Sequence, residues 1–146
     1  MASDPRHNAR IIVLQKLFER AFTSSELDKH TGEQFSDNAL QHINALGSYD
    51  GELAETLFAG VVANQEKIDK IIKELAPQWP IDQIGKTDLQ ILRIAILEGF
   101  ILKVTPEKVA IDEAVELSKE FANEHSRKFI NGVLGSLLNK KDTYQL

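Results

Sequence analysis

An all-α fold of about seven helices is predicted by three features of this chain. Apolar residues recur at helical spacing in every long segment, no run alternates with a period of two, and helix-start residues precede the apolar stretches. Asp4-Pro5 opens the first helix, with an acceptor at the cap and proline where no amide is needed. Ile11, Leu14, Phe18 and Ala21 carry that helix to about Phe22. Serines, charges and Gly32 then form a loop, and Ser36 or Asp37 caps a short helix ending near Gly47. Asp50 can cap the next helix, whose apolar ladder runs Leu53, Leu57, Val61, Ile68, Ile72 and Leu75. The ladder reads equally as one long helix or as two with a kink near residues 60–64. Pro77 and Pro80 stop it, and Trp79 between them is expected to plug a bundle end.

A short turn closed by Gly85 leads into the most apolar segment. Thr87 and Gln90 have the spacing of a capping box, and residues 87–102 are apolar nearly all round, as befits the pillar of a core. Arg93 interrupts that pillar and is expected to pair with a carboxylate such as Glu113 or Glu116. Thr105-Pro106 starts another helix by the cap-plus-proline rule. Ser126 begins the last, with Ile130, Val133, Leu134, Leu137 and Leu138 as its buried stripe. Gly132 and Gly135 lie inside this pattern, where glycine costs about 1 kcal/mol against alanine, so each is expected to mark close backbone packing.

Composition narrows the function. The chain has 146 residues, 42% hydrophobic and 27% charged, in the range of soluble globular domains. It has no cysteine, which excludes disulfides, thiolate metal sites and thiol nucleophiles. No apolar signal segment opens it, and residues 89–102 are too short and too charged to span a bilayer, so a cytoplasmic protein without membrane association is expected. Histidines 7, 30, 42 and 125 share no helix face, no histidine follows a glutamate at the di-iron spacing, and no phosphate-binding glycine loop is present. Glu113, Glu116 and Glu120 read as a solvated face. The chain is therefore read as a non-enzyme without cofactor or metal.

The net charge is −5, unevenly spread. Residues 1–20 carry four basic and two acidic side chains, residues 120–146 four and three, and residues 21–119 nine and seventeen. Were the first and last helices to lie side by side, a small basic face would sit on an acidic body suited to a basic protein partner.

Three blocks give the chain a family likeness: RHNARIIVLQKLF (6–18), ELAETLFAGVVANQEKID (52–69) and, most specifically, residues 87–138 with LRIAILEGF, VAIDEAVELSKEF and SRKFINGVLGSLL. In this order and spacing they resemble the NusB family of transcription antitermination factors, over roughly two thirds of the chain. The resemblance implies one all-helical RNA-binding domain over 1–146, built of two small helical subdomains. It further implies recognition of a boxA-like single-stranded RNA together with NusE, a ribosomal small-subunit protein, and a link to the elongating RNA polymerase complex. Where the family usually carries adjacent arginines in its first helix, this chain has Arg6, His7 and Asn8.

Candidate site residues follow. Arg6 and Arg10 stand one helical turn apart, so on an exposed face both reach neighbouring phosphates, with His7 beside them. Arg127 and Lys128 open the last helix, whose amide-rich start attracts anions. Phe18, Phe121 and Phe129 lie near these charges as rings on which unpaired bases can stack, although each also reads as a core residue. Phe18 stands where the family often has tyrosine. Asp88 suits the helix dipole, and the resemblance places an acidic residue there against NusE. Two rivals remain. One is the RNA-binding module of a ribosomal-RNA methyltransferase, acting in trans because residue 146 leaves no room for a methyl-donor domain. The other is a helical interaction or dimerisation module that has lost RNA binding. The sequence leaves monomer and homodimer equally open.

Overall fold

Asp4 starts helix α1 (Pro5–Arg20) as expected: its carboxylate accepts from the Arg6 amide at 3.0 Å, and proline takes the first helical position. The computed structural model describes residues 4–21 and 47–146. The chain divides into two compact units, Met1–Phe58 and Ala59–Leu146.

In the first unit, α1 is buried along most of its length, from Asn8 through Gln15 and again at Leu17 and Phe18. Polar groups inside it need partners. Asn8 finds one, its Nδ2 donating to the Ser48 carbonyl at 2.9 Å. The Asp50 amide donates to the Pro5 carbonyl at 3.0 Å, and the Arg6 guanidinium stands 3.9 Å from the Asp50 carboxylate. Asp50 also caps the next helix, accepting from the Leu53 amide at 2.9 Å. That helix, α2 (Gly51–Leu75), runs unbroken for 25 residues, which resolves the ladder as one helix.

The second unit holds the rest of α2 with α3 (Lys86–Ile96), α4 (Glu107–Phe121) and α5 (Glu124–Lys140). Every residue from Leu89 to Phe100 is buried, so α3 and its continuation form the expected pillar. The continuation is a π-helical turn, Leu97–Ile101, closed by the Leu102 amide donating to the Leu97 carbonyl at 2.8 Å. Two glycines let the backbones approach here. A Cβ on Gly99 would lie 2.7 Å from the Ala110 Cβ of α4, and one on Gly60 would lie 2.6 Å from Leu97 Cδ2. These, and not Gly132 and Gly135, are the packing glycines: a Cβ at either of the latter meets nothing within 4 Å.

Arg93 is buried and paired, but with α2 and not with α4. Its Nε and Nη2 donate to the two Asp69 oxygens at 2.9 and 2.8 Å, and Nη1 donates to Gln90 Oε1 at 3.2 Å. Glu113 is half-buried, and exposed Glu116 pairs with Lys119 at 3.3 Å. Gln90 is thereby drawn inward and cannot close a capping box; α3 begins one residue before Thr87, capped by Gly85 without a side-chain bond. The Thr105 hydroxyl is likewise taken by the buried Glu98 carboxylate, and Pro106 is the residue that precedes α4. Helix α5 starts two residues before Ser126, because Asn123 caps it by accepting from the Ser126 amide at 2.9 Å. Trp79 does not plug the bundle; it is 52% exposed.

Among the described residues there are five α-helices and no strand. The count falls short of seven partly because α2 is continuous. The short helix expected over 36–46 lies outside the described residues.

Candidate functional site

The sequence-derived site residues divide between the two units. In the first, Arg6 is exposed on the opening turn of α1, and His7 is half-buried. Arg10 and Phe18 are not at the surface, being 2% and 6% exposed. The reason is the burial of α1 on nearly every side, from Asn8 through Gln15, so the position one helical turn beyond Arg6 is already covered. Arg10 and Phe18 are therefore covered in this structure, and the exposed guanidinium pair expected at positions 6 and 10 is not formed.

In the second unit, the start of α5 carries half-buried Arg127 and exposed Lys128. Arg127 reaches Glu124 at 3.0 Å and Lys128 reaches the same carboxylate at 3.9 Å. Such exposed pairs contribute only about 0–1 kcal/mol, so both cations can turn to another anion at little cost. Phe121 is half-buried at the end of α4. Phe129 is half-buried one turn into α5 and meets Trp79 edge-on, with ring centroids 6.4 Å apart and planes at 75°.

Phe129 and Asp88, expected on separate faces for RNA and partner, share one hollow. It has a volume of about 420 Å³, and Trp79, Ile84, Asp88, His125, Ser126 and Phe129 are among its walls. Asp88 stands on the first turn of α3, and Ser126 of α5 lines the hollow with it. Sequence reasoning missed Trp79, His125 and Ser126 as its companions. The available signal was a large aromatic residue held between two prolines, which fixes its backbone and leaves its ring outside the helical packing.

Burial pushes the Asp88 carboxyl above its ordinary value of 3.8, and the Ser126 hydrogen bond pulls it part of the way back. The folded chain thus keeps a proton on Asp88 to higher pH than the unfolded chain does. Stability must then fall as pH rises from that ordinary value through the raised one. Asp88→Asn keeps an oxygen for Ser126 and carries no charge. It is expected to raise stability at neutral pH, with the gain vanishing as pH falls below the ordinary aspartate range. Denaturant midpoints at neutral and acid pH check this, and a gain equal at both would contradict it.

No group of three or more histidine or acidic side chains suited to a metal occurs among the described residues, and no helix there is long and apolar enough to cross a membrane.

Comparison with known proteins adds to this geometry. The chain is 38% identical over 137 residues to transcription antitermination protein NusB of Chloroflexus aggregans, covering 92% of this chain and 87% of that one. It is 36% identical to the NusB of Clostridium acetobutylicum, covering 94% and 97%. A crystal structure of antitermination factors NusB and NusE in complex with double-stranded RNA is similar at a TM-score of 0.67 and 25% identity, covering 90% of this chain and 93% of that one. A crystal structure of a plectonemic RNA supercoil contains a chain similar at a TM-score of 0.74 and 26% identity, covering 97% and 99%. The family model described as the NusB family matches residues 7–139, and this chain belongs to that family of transcription antitermination proteins.

Proposed function

We propose that this chain, over residues 1–146, is a cytoplasmic antitermination factor that binds boxA-like single-stranded RNA together with NusE and links that RNA to elongating RNA polymerase. The observation that carries the reading is identity to curated antitermination proteins along nearly the whole chain, with the exposed cations at the two positions where RNA contact is expected. Arg6, His7, Arg127 and Lys128 supply contacts to phosphate. Phe129, and Phe121 beside the start of α5, supply rings for unpaired bases. Arg10 and Phe18 hold α1 in place behind Arg6. Asp88 faces NusE. The protein is then a scaffold without catalysis, whose affinity sums over two partners.

Filter binding with boxA-like, scrambled and double-stranded RNA tests the reading. The boxA-like strand is expected to bind most tightly. Arg6→Ala and Lys128→Ala are each expected to lower the slope of log affinity against log salt by about 0.7–1, the loss of one phosphate contact. Equal binding of all three RNAs with unaltered slopes would contradict it. Sedimentation of the same samples separates monomer from homodimer.

A further inference from the structure

The Asp88 hollow combines three things that together select a ligand. The first is a carboxylate partly withdrawn from water, with no lysine or arginine among the residues that line the hollow with it. The Ser126 hydroxyl is the one side-chain group that favours its charged form, and one hydroxyl leaves most of a carboxylate's roughly four acceptor sites unfilled. The second is Trp79, 52% exposed although it lines the same wall, and braced edge-on by Phe129. The third is the charge of the lining itself: among the residues that line the hollow, Asp88 is the one Asp, Glu, Lys or Arg. A phosphodiester would be repelled by such a site. A cation would be drawn to it, and would compensate the carboxylate whose burial the fold otherwise bears alone.

We infer that this hollow takes an arginine side chain of the protein partner, its guanidinium lying against the Trp79 ring and donating to the Asp88 carboxylate. A guanidinium suits both walls at once. It is planar and weakly hydrated, so it stacks on indole, and its in-plane N–H groups can still reach a carboxylate. An ammonium is a compact, strongly hydrated point charge that fits the carboxylate and not the ring. The inference rests on the NusE reading above and specifies the chemistry of that contact. It also moves Phe129 from the RNA face to the partner face, where it braces Trp79.

Trp79 is the only tryptophan in the chain, so its fluorescence reports on the hollow alone. Titration with Nα-acetyl-arginine amide is expected to give a saturable change that the neutral isostere Nα-acetyl-citrulline amide does not give, and that Asp88→Asn weakens. With NusE, calorimetry is expected to show Asp88→Asn and Trp79→Ala each weakening binding roughly ten- to a hundredfold, the scale of removing one partner of a desolvated charge pair. Circular dichroism confirms that both variants are folded. Replacing NusE arginines one at a time should reveal one whose loss is strongly non-additive with Asp88→Asn. Citrulline acting as arginine does, or no NusE arginine coupling to Asp88, would overturn the inference. So would a Trp79 response to boxA-like RNA without one to arginine, which would make the hollow a nucleobase site. If wild-type protein failed to bind NusE, the proposed function would fall, and the arginine-against-citrulline difference would still decide the hollow.

Discussion

Asp69→Ala is expected to cost about 3–5 kcal/mol of stability, read as a lowered denaturant midpoint with the α-helical signal otherwise unchanged at low denaturant. The magnitude follows from what the substitution leaves behind. The Arg93 side chain is 8% exposed, and two of its N–H groups lose their acceptors at once while its charge cannot be shed. Gln90 offers a single neutral oxygen at 3.2 Å and cannot compensate. The reverse change should be milder. Arg93→Met leaves Asp69, whose side chain is 20% exposed and can recruit water, and puts an apolar side chain of similar length into an apolar helix. An Asp69→Ala loss no larger than that of Arg93→Met would mean that the pair is hydrated in solution.

Gly99→Ala is expected to destabilise by about 1–3 kcal/mol even though alanine is the better helix former. The added methyl would sit 2.7 Å from the Ala110 Cβ, an atom fixed to the α4 backbone, and 3.4 Å from the Glu107 Cα. Neither can swing aside, so α4 must move away from the π-helical turn. At Gly60 the clash is with side-chain atoms of Leu97, none of them fixed to a backbone as the Ala110 Cβ is, and a smaller loss is expected there. Gly132→Ala and Gly135→Ala meet open space and are expected to gain up to about 1 kcal/mol each. Thermal or denaturant unfolding of the four variants checks the ordering. A stabilised Gly99→Ala would show that α3 and α4 are not in close contact there.

These glycines illustrate which parts of the structure could be read from the sequence. Position in an apolar helical pattern is local, and it located α2, α3 and α5 correctly through Leu57, Ile72, Leu92 and Leu134. Caps that depend only on the next two or three amides, Asp4 and Asp50, were legible for the same reason. What a glycine packs against is decided by another helix, so Gly99 and Gly132 look alike in sequence and differ in space. Sequence offers Arg93 carboxylates on the helices both before and after it, and only the packing shows that the one it meets is Asp69 of α2. Thr87 and Gln90 have capping-box spacing, but the demand of buried Arg93 for an acceptor outweighs a surface cap, and Gln90 turns inward.

The site divides in the same manner. Arg6 and Lys128 were legible because exposed cations near helix starts need no tertiary information. Arg10 was not, since helical spacing fixes its angle about α1 but cannot say how much of the helix circumference is covered. The meeting of Asp88 with Phe129 brings together α3 and α5, and Trp79 joins them from the turn that precedes α3. Sequence presents each of these residues by itself, two of them for different partners, because only the packing of α3 against α5 shows them as walls of one hollow.

Coupling of RNA to NusE by this chain is tested by measuring RNA affinity with and without saturating NusE, at one fixed salt concentration. The boxA-like strand is expected to bind roughly 5–150-fold more tightly when NusE is present, and NusE to bind more tightly by the same factor when RNA is present, as reciprocity demands. RNA affinity unchanged by NusE, with each partner still binding alone, would contradict the scaffold account.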